Sequence, residues 1–386
     1  MFTASSKGST KSASNSAPSA RAARTGGARV AGSPYDGLPD RAYWRKAVAA
    51  RGPGRLRDLY RPRFAIGPDT PILTAGSCFA QHVHRALKGA GLAVIETEPA
   101  PACLDPAVAA RFFYGTFSAR YGNLYTPRHL LQLLREAAGD HRPAHPIWQR
   151  DGRFFDALRP NTDPEGHASA TSVALARADH LAAVRAAVAQ ARVVIFTLGL
   201  TETWADRASG TVYPTAPGVL AVPPEGADIG FLALGHDAIT ADLRALLALL
   251  RTQTPDIKLL LTVAPGPLVA TASDDHVLPA STACKAILRA AAATLVAEDP
   301  GVDYFPSYEI ITNPAARGGF FQPNLRHPTP KGISVVMKQF MAAHALAAPT
   351  EALADLPGAA ATADAGDDAA LCDEQLNDPS LRAGPR

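Results

Sequence analysis

Short apolar runs alternate with amphipathic stretches through the middle of this chain, from about residue 70 to residue 345. Two of the runs, VVIF (193–196) and LLLTV (259–263), are continuous, as expected for strands buried on both faces of a parallel sheet. We predict four strands, in the segments PILTAG (71–76), ARVVIFTLG (191–199), IKLLLTVAP (257–265) and VDYFPS (302–307).

Apolar residues recur at helical spacing before and after these strands. The helical segments are 80–90, 181–191, 238–252, 281–298 and 332–345. Strands that alternate with helices predict an α/β fold, a three-layer α/β/α sandwich with a mostly parallel central sheet. We assign this domain to residues 34–348, and we expect the stretch from about 92 to 175 to be an insertion that decorates it.

Composition sets the two ends of the chain apart from this domain. Residues 1–33 are a basic arm rich in Ser and Ala, and residues 349–386 are an acidic tail rich in Ala and Asp. We expect both to be disordered. The arm lacks the apolar core of a secretory signal, so we expect a cytoplasmic protein; an organelle transit peptide has a similar composition and stays an alternative.

Charge and cysteine content exclude several classes of function. The formal net charge is +3 with acids and bases mostly intermixed, so we expect no nucleic-acid partner. Four cysteines without CxxC spacing predict neither a disulfide framework nor a zinc site. The apolar runs are shorter than a membrane span. We expect no metal or organic cofactor, and the pattern leaves the oligomeric state open.

Ligands of open α/β sheets bind beyond the carboxyl ends of the strands, so residues there are the candidates for chemistry. After the first strand, Ser77 stands on a strand-to-helix turn, where it is either a helix cap or a nucleophile. A nucleophilic serine needs a base, and His327 lies in a turn (NLRHPTPKG) just before the last helix. A surface position for His327 is the alternative, and Cys78 is a rival nucleophile or a packing residue.

Five segments occur at strand ends and before the last helix: GSCFAQH (76–82), TLGLTETW (197–204), LTVAPGPL (261–268), YFPSYEI (304–310) and HPTPKG (327–332). The first resembles the motif that names the GSCFA family, and the others resemble further blocks of that family in the same order. The family is grouped with the SGNH, or GDSL-type, hydrolases. Together they span roughly residues 34 to 346. The resemblance implies an SGNH-hydrolase-like fold and serine-dependent ester chemistry.

The resemblance also implies roles for particular residues. Ser77 would be the nucleophile and His327 the base. Asn324 stands where SGNH enzymes carry the aspartate that orients the histidine; an asparagine can orient an imidazole, or Glu202 or Glu309 could replace the missing acid.

The donors to the oxyanion would come from three places in the chain. Backbone N–H groups at the Ser77 turn are the first. Gly122 matches the second-block glycine, with Asn123 beside it. Thr201, two residues after Gly199, occupies the position of the third-block asparagine.

Several residues have the chemistry of a substrate site, and each also has a structural alternative. Glu202 and Trp204 could hold a sugar face, or could be a capping acid and a core aromatic. Arg120 and Tyr121 could form a substrate loop with Asn123, or a structural turn around Gly122. Gly199 would lie against the substrate.

We therefore expect an esterase or acyltransferase that acts on a small acyl ester, such as O-acetyl on a carbohydrate, through an acyl-enzyme on Ser77. The substrate assignment comes from fold-level analogy. The alternative is a non-catalytic carbohydrate-binding or polysaccharide-assembly protein on a degenerate SGNH scaffold, because the family's aspartate and asparagine are replaced here.

Overall fold

A computed structural model of the chain describes residues 33–346 and 373–379. Nine strands occur in the described residues: β1 (Ile72–Gly76), β2 (Ile147–Arg150), β3 (Arg153–Asp156), β4 (Val193–Leu198), β5 (Glu202–Asp206), β6 (Val212–Tyr213), β7 (Ile229–Ala233), β8 (Lys258–Val263) and β9 (Val302–Tyr304). The eight α-helices described are α1 (Cys78–Gly89), α2 (Pro106–Arg111), α3 (Pro127–Ala138), α4 (Ala170–Gln190), α5 (His236–Gln253), α6 (Val277–Glu298), α7 (Ser307–Thr312) and α8 (Pro330–Ala343).

The four predicted strands form one parallel sheet in the order β1-β4-β8-β9. Ile195 in β4 pairs with Thr74 in β1 on one side and with Leu260 in β8 on the other. All residues of β1 and β4 are buried. Their apolar runs do not alternate with polar residues because both faces of the sheet are covered.

Successive residues of each strand enter two different cores. Phe196 and Leu261 pack into the core that also holds α3, α4, α5 and α6. Ile195 and Leu260 face the opposite core, with α1, α7 and α8. Helices thus cover both faces, and the predicted α/β class with three layers is confirmed.

Helix α4 begins eleven residues before the predicted segment at 181–191. Ser169 caps it by accepting a hydrogen bond from the Ser172 amide. Its first half buries Arg177 and His180, which contact the carboxylates of Glu136 and Glu98. A helix that buries charged and polar side chains lacks the apolar stripe on which a sequence prediction depends.

The predicted insertion contains α2, α3 and the antiparallel hairpin of β2 and β3. A second antiparallel sheet, in the order β6-β5-β7, follows β4. Trp148 of the hairpin stacks on Tyr213 of this sheet, with ring centroids 5.0 Å apart. These small sheets lie outside the central sheet, and the segments that form them are not among the predicted strands.

Helix α6 is, among the described residues, long and apolar enough to cross a membrane by length and composition alone. In the fold it contacts α5, β8 and β9 and buries Leu288 and Leu295 in the core. This is the environment of a core helix in an α/β sandwich.

The acidic tail differs from the expectation at one segment, Asp373–Asn377, which forms a short 3-10 helix. Its Glu374 is 6% exposed and contacts the domain. The segment becomes ordered because a carboxylate in the tail finds partners there, which composition alone does not reveal. Residues 1–32 of the predicted arm, and residues 349–372 and 380–386 of the predicted tail, lie outside the described residues.

We expect Asp156→Asn to lower the free energy of unfolding by ~3–5 kcal/mol, because it removes the carboxylate charge that two buried guanidinium groups share. Asp156 lies 2.8 Å from Arg159 Nε and 3.3 Å from Arg177 Nη1. Burial would raise the pKa of Asp156, but the two arginines outweigh burial and lower it from 3.8 to about 2. The stabilisation is therefore complete above pH ~4 and is lost as the pH falls toward 2.

Urea unfolding at pH 7 measures the free energy of unfolding of the wild type and of Asp156→Asn. Asp151→Asn is the control, since it makes the same change at an exposed position of the same hairpin. Equal stability of the two variants would contradict the role of Asp156.

Candidate active site

The turn after β1 contains a glycine and places Ser77 at the carboxyl end of the sheet. Gly76 has φ +139°, and a Cβ there would lie 2.5 Å from the carbonyl oxygen of Thr197. Only glycine fits this approach of β1 to β4. The Ser77 amide then donates to the same Thr197 oxygen at 3.2 Å. The chain therefore changes from strand to helix within one residue.

Ser77 is the N-cap residue of α1, but its side chain makes no capping hydrogen bond. The residue is 2% exposed, and its Oγ has no hydrogen-bond partner among the described residues. A buried hydroxyl without a partner costs free energy, so such a group calls for a functional explanation. The structure thus decides against the helix-cap alternative for this side chain.

Gly199 makes room for Ser77. A Cβ at Gly199 would lie 2.7 Å from the Cβ of Ser77 and 3.3 Å from its Oγ. The amides of Gly199 and Leu200 both donate to the carbonyl of Tyr125, and the Gly199 carbonyl accepts from Lys285 Nζ at 2.7 Å. These bonds hold the segment after β4 against the serine.

Ser77 lies in a cleft at the carboxyl ends of the parallel strands. The residues that line the cleft are Ser77, Cys78, Phe79, His82, Tyr125, Gly199, Leu200, Ala264, Gly266, Lys285, Arg326, His327, Pro328 and Glu374. They come from the turn after β1, from α1, from the segment before α3, from α6, from the segments after β4 and β8, from the loop before α8 and from the tail. The structure thus brings Ser77 and His327 to one place, as the sequence predicts.

The loop before α8 holds His327 in position. Pro328 pairs with Phe321 across a β-bridge, and Thr329 caps α8 by accepting from the Gly332 amide. Asn324 Oδ1 accepts from the amides of Arg326 and His327, both at 3.0 Å. The asparagine therefore shapes the turn that carries the histidine.

Both ring nitrogens of His327 face donor groups. Nδ1 lies 2.8 Å from Asn324 Nδ2, and Nε2 lies 3.1 Å from Arg326 Nη1. A neutral imidazole has one acceptor nitrogen, so it can accept from only one of these groups. An asparagine that orients an imidazole as an aspartate does would accept from the ring, but the oxygen of Asn324 is occupied by the two amides and its nitrogen faces the ring instead.

Electrostatics favour the neutral form of His327. Burial lowers its pKa, and the Arg326 guanidinium lowers it further. His82 on α1 also lines the cleft, and its pKa is lowered to about 3 by burial, by Arg85 and by His327. At neutral pH the cleft therefore holds two uncharged imidazoles, and a neutral imidazole can accept a proton.

The predicted oxyanion residues Gly122, Asn123 and Thr201 are not among the described residues that line the cleft. Gly122 has φ +68°, which a turn there requires. Asn123 is buried, and its Oδ1 accepts from Gln81 Nε2 at 3.0 Å, so this oxygen turns toward α1.

The predicted substrate residues Arg120 and Tyr121 have internal partners. Arg120 donates to the carbonyls of Phe112 and Thr162 at 2.9 and 2.8 Å. The hydroxyl of Tyr121 donates to the carbonyl of Thr74. Arg120 therefore connects segments of the insertion, Tyr121 connects the insertion to β1, and neither lines the cleft, which is the structural alternative.

The other acidic and aromatic candidates also lie outside the cleft lining. Glu202 accepts from Thr271 Oγ1 at 2.7 Å, and burial raises its pKa. Trp204 packs edge-to-face on Phe231 across β5 and β7. Glu309 pairs with Arg289 Nε at 2.7 Å and accepts from Tyr304 Oη at 2.8 Å. None of these contacts places an acid beside His327.

Cys78 lines the cleft next to Ser77 and is half-buried, so it stays the rival nucleophile. No group of three or more His, Cys, Asp or Glu side chains in residues 33–346 and 373–379 is arranged to hold a metal ion.

Among the cleft residues that the sequence prediction lacks are Tyr125, Lys285, Arg326 and Glu374. Lys285 carries the one usable signal, because it interrupts the apolar face of α6 and is 4% exposed. A lysine among buried apolar positions needs a partner, and the partner is a backbone carbonyl at the end of β4.

We expect Arg326→Gln to raise the pKa of His327, because it removes the cation that opposes protonation of the ring while burial remains. An NMR titration of the imidazole resonances measures this pKa. Arg85→Gln is the matched control; it removes the cation beside His82 and should leave His327 unchanged. A His327 pKa that is identical in wild type and Arg326→Gln would contradict the contact.

One family model, described as the GSCFA family, matches residues 71–340. No curated protein and no solved structure matches the chain. The matched region begins one residue before β1 and ends inside α8, so it includes the whole central sheet, Ser77 and His327. More than half of the chain is matched, and the protein belongs to the GSCFA family.

Proposed function

We propose that the protein is a serine-dependent, SGNH-type esterase or acyltransferase. One observation carries the proposal: a buried Ser77 Oγ without a hydrogen-bond partner among the described residues shares a cleft with His327, whose pKa is lowered by burial and by Arg326. A nucleophile and a base of suitable charge, at the carboxyl ends of parallel strands, are the parts that acyl transfer needs.

In the first step Ser77 Oγ attacks the carbonyl carbon of an ester while His327 takes the hydroxyl proton. The tetrahedral intermediate then expels the alcohol, which receives that proton from His327, and the acyl group stays on Ser77. Water or a second alcohol resolves the acyl-enzyme by the same sequence in reverse. A hydrolase and a transferase differ only in this last acceptor.

The negative charge of the intermediate needs donors near Ser77. Amides in the first turn of an α-helix point toward its N-terminus, and α1 begins directly after the serine. Lys285 adds a buried cation to the same cleft. These groups would act in place of Gly122, Asn123 and Thr201, which do not line the cleft.

A small acyl group on a carbohydrate, such as O-acetyl, is the substrate we propose by analogy with SGNH enzymes. We expect His327 to be a weakly activated base, because the amide of Asn324 cannot stabilise the imidazolium with charge as an aspartate does.

A non-catalytic carbohydrate-binding or polysaccharide-assembly function is the second candidate. Its support is the set of contacts around His327, whose two ring nitrogens face Asn324 and Arg326. Such a ring must move before it can accept a proton from Ser77.

Covalent labelling with an excess of a neutral fluorophosphonate, followed by intact mass, separates the two candidates. We expect one adduct on wild type, none on Ser77→Ala, and labelling of His327→Ala slowed by ~10²–10⁴-fold, because a general base contributes that much. Cys78→Ala is the control and should label like wild type. No adduct on folded wild type after prolonged incubation, or an adduct on Ser77→Ala, would contradict the proposed mechanism.

We expect Gly199→Ala to slow labelling of Ser77 by ~10²-fold, since a methyl group 2.7 Å from the Ser77 Cβ must displace the nucleophile. Gly266→Ala is the matched control: it adds the same methyl group in the same cleft, where the nearest atom is 3.4 Å away. Thermal unfolding by circular dichroism verifies that both variants are folded. Equal labelling rates of the two variants would show that the Gly199 approach does not position Ser77.

A further inference from the structure

The tail places a carboxylate inside the cleft that holds Ser77. Glu374 Oε2 accepts from Arg326 Nη2 at 2.8 Å, and Oε1 accepts from the Val269 amide at 2.8 Å. The amide of Glu374 also donates to Tyr125 Oη at 3.3 Å. Both carboxylate oxygens are thus bound by groups of the folded domain.

Other groups of the folded domain hold these donors in position. Arg326 Nε donates to the carbonyl of Pro267 at 3.2 Å, which fixes the guanidinium at the wall of the cleft. The Val269 amide belongs to the segment after β8. Partly buried donors arranged in this way form a site for an anion.

Charge in the cleft is complementary to a carboxylate. Arg326 and Lys285 supply two positive charges, and the imidazoles of His82 and His327 are held neutral. Glu374 is the one acidic residue among the described residues of the lining. The tail therefore supplies the counter-charge of a cationic cleft.

The ion pair of Arg326 and Glu374 also involves His327, because Arg326 contacts the imidazole. Arg326 contacts Glu374 through Nη2 and His327 Nε2 through Nη1. While Glu374 holds the guanidinium, Arg326 Nη1 faces Nε2 and Asn324 Nδ2 faces Nδ1, so neither ring nitrogen is open to the proton of Ser77. Docking of the tail thus favours an arrangement in which the base is not available.

We propose that Arg326 and the Val269 amide form a carboxylate subsite beside Ser77, and that Glu374 occupies it as an internal competitor. The ligand of this subsite is an acidic group, such as the carboxylate of an acidic sugar, that replaces Glu374. Binding of an acidic ligand to this subsite does not depend on the function proposed above. The further step, in which the same ligand carries the ester that Ser77 attacks, rests on that proposed function.

The test uses full-length Glu374→Lys, in which a positive charge in the tail repels Arg326 and leaves the subsite open. Asp367→Lys is the matched control, because it makes the same charge reversal in the tail outside the described residues. The probe is a peptide with the sequence of residues 373–379, DEQLNDP, and binding is measured by calorimetry.

We expect the peptide to bind Glu374→Lys at least about tenfold more tightly than it binds Asp367→Lys, whose own Glu374 fills the site. A DQQLNDP peptide should bind weakly, and Arg326→Gln in the Glu374→Lys chain should abolish binding. D-Glucuronate should displace the peptide at lower concentration than D-glucose, which lacks the carboxylate.

Equal peptide affinity of the two lysine variants, or equal binding of the two peptides, would overturn the subsite. Equal displacement by the two sugars would overturn the acidic sugar as its ligand. Fluorophosphonate labelling then separates the two proposals. Labelling of Ser77 at least about tenfold faster in Glu374→Lys than in Asp367→Lys supports both, whereas peptide binding without labelling of any variant would retain the subsite and reject the esterase.

Discussion

The close approach of β1 and β4 at their carboxyl ends is the constraint on which the site depends. Gly76 permits it from one strand, because a side chain there would collide with Thr197. Gly199 permits it from the other, because a side chain there would collide with Ser77. Together they bury a hydroxyl that helix capping would otherwise satisfy. The free-energy cost of that buried hydroxyl is met by the packing of the sheet and its two cores.

The central sheet could be predicted because the residues within each strand are enough to show that the strand is buried. Runs such as VVIF and LLLTV are buried on both faces, so the residues alone reveal their environment. The first half of α4 was not predictable, since Arg177 and His180 become buried only through carboxylates distant in the chain. The structural roles of Arg120 and Tyr121 could not be predicted for the same reason. Their polar groups donate to backbone carbonyls that come close only in the fold.

For the site, the sequence predicted Ser77, Gly199 and His327, which strand ends and motif blocks mark, with Cys78 as a rival nucleophile; all four line the cleft. It did not predict Lys285, whose charge interrupts the apolar face of α6 without revealing what it contacts, or Glu374, which lies in a tail of disordered composition. Both are brought to Ser77 by the topology of the sheet and by charge, which the order of residues along the chain does not reveal. Residues that complete a cleft from distant segments need a three-dimensional structure to be found.

Arg326 connects the electrostatics of the cleft with its reactivity. Burial and then the charge of Arg326 lower the pKa of His327, which favours the neutral form that a base requires, yet Arg326 Nη1 faces one of the two ring nitrogens. The position of the guanidinium therefore matters as well as its charge, and its carboxylate partner Glu374 holds that position. An aspartate at position 324 would compete with Glu374 for Arg326 and would raise the pKa of the ring. Asn324 shapes the turn without this competition, so the guanidinium pairs with the carboxylate across the cleft.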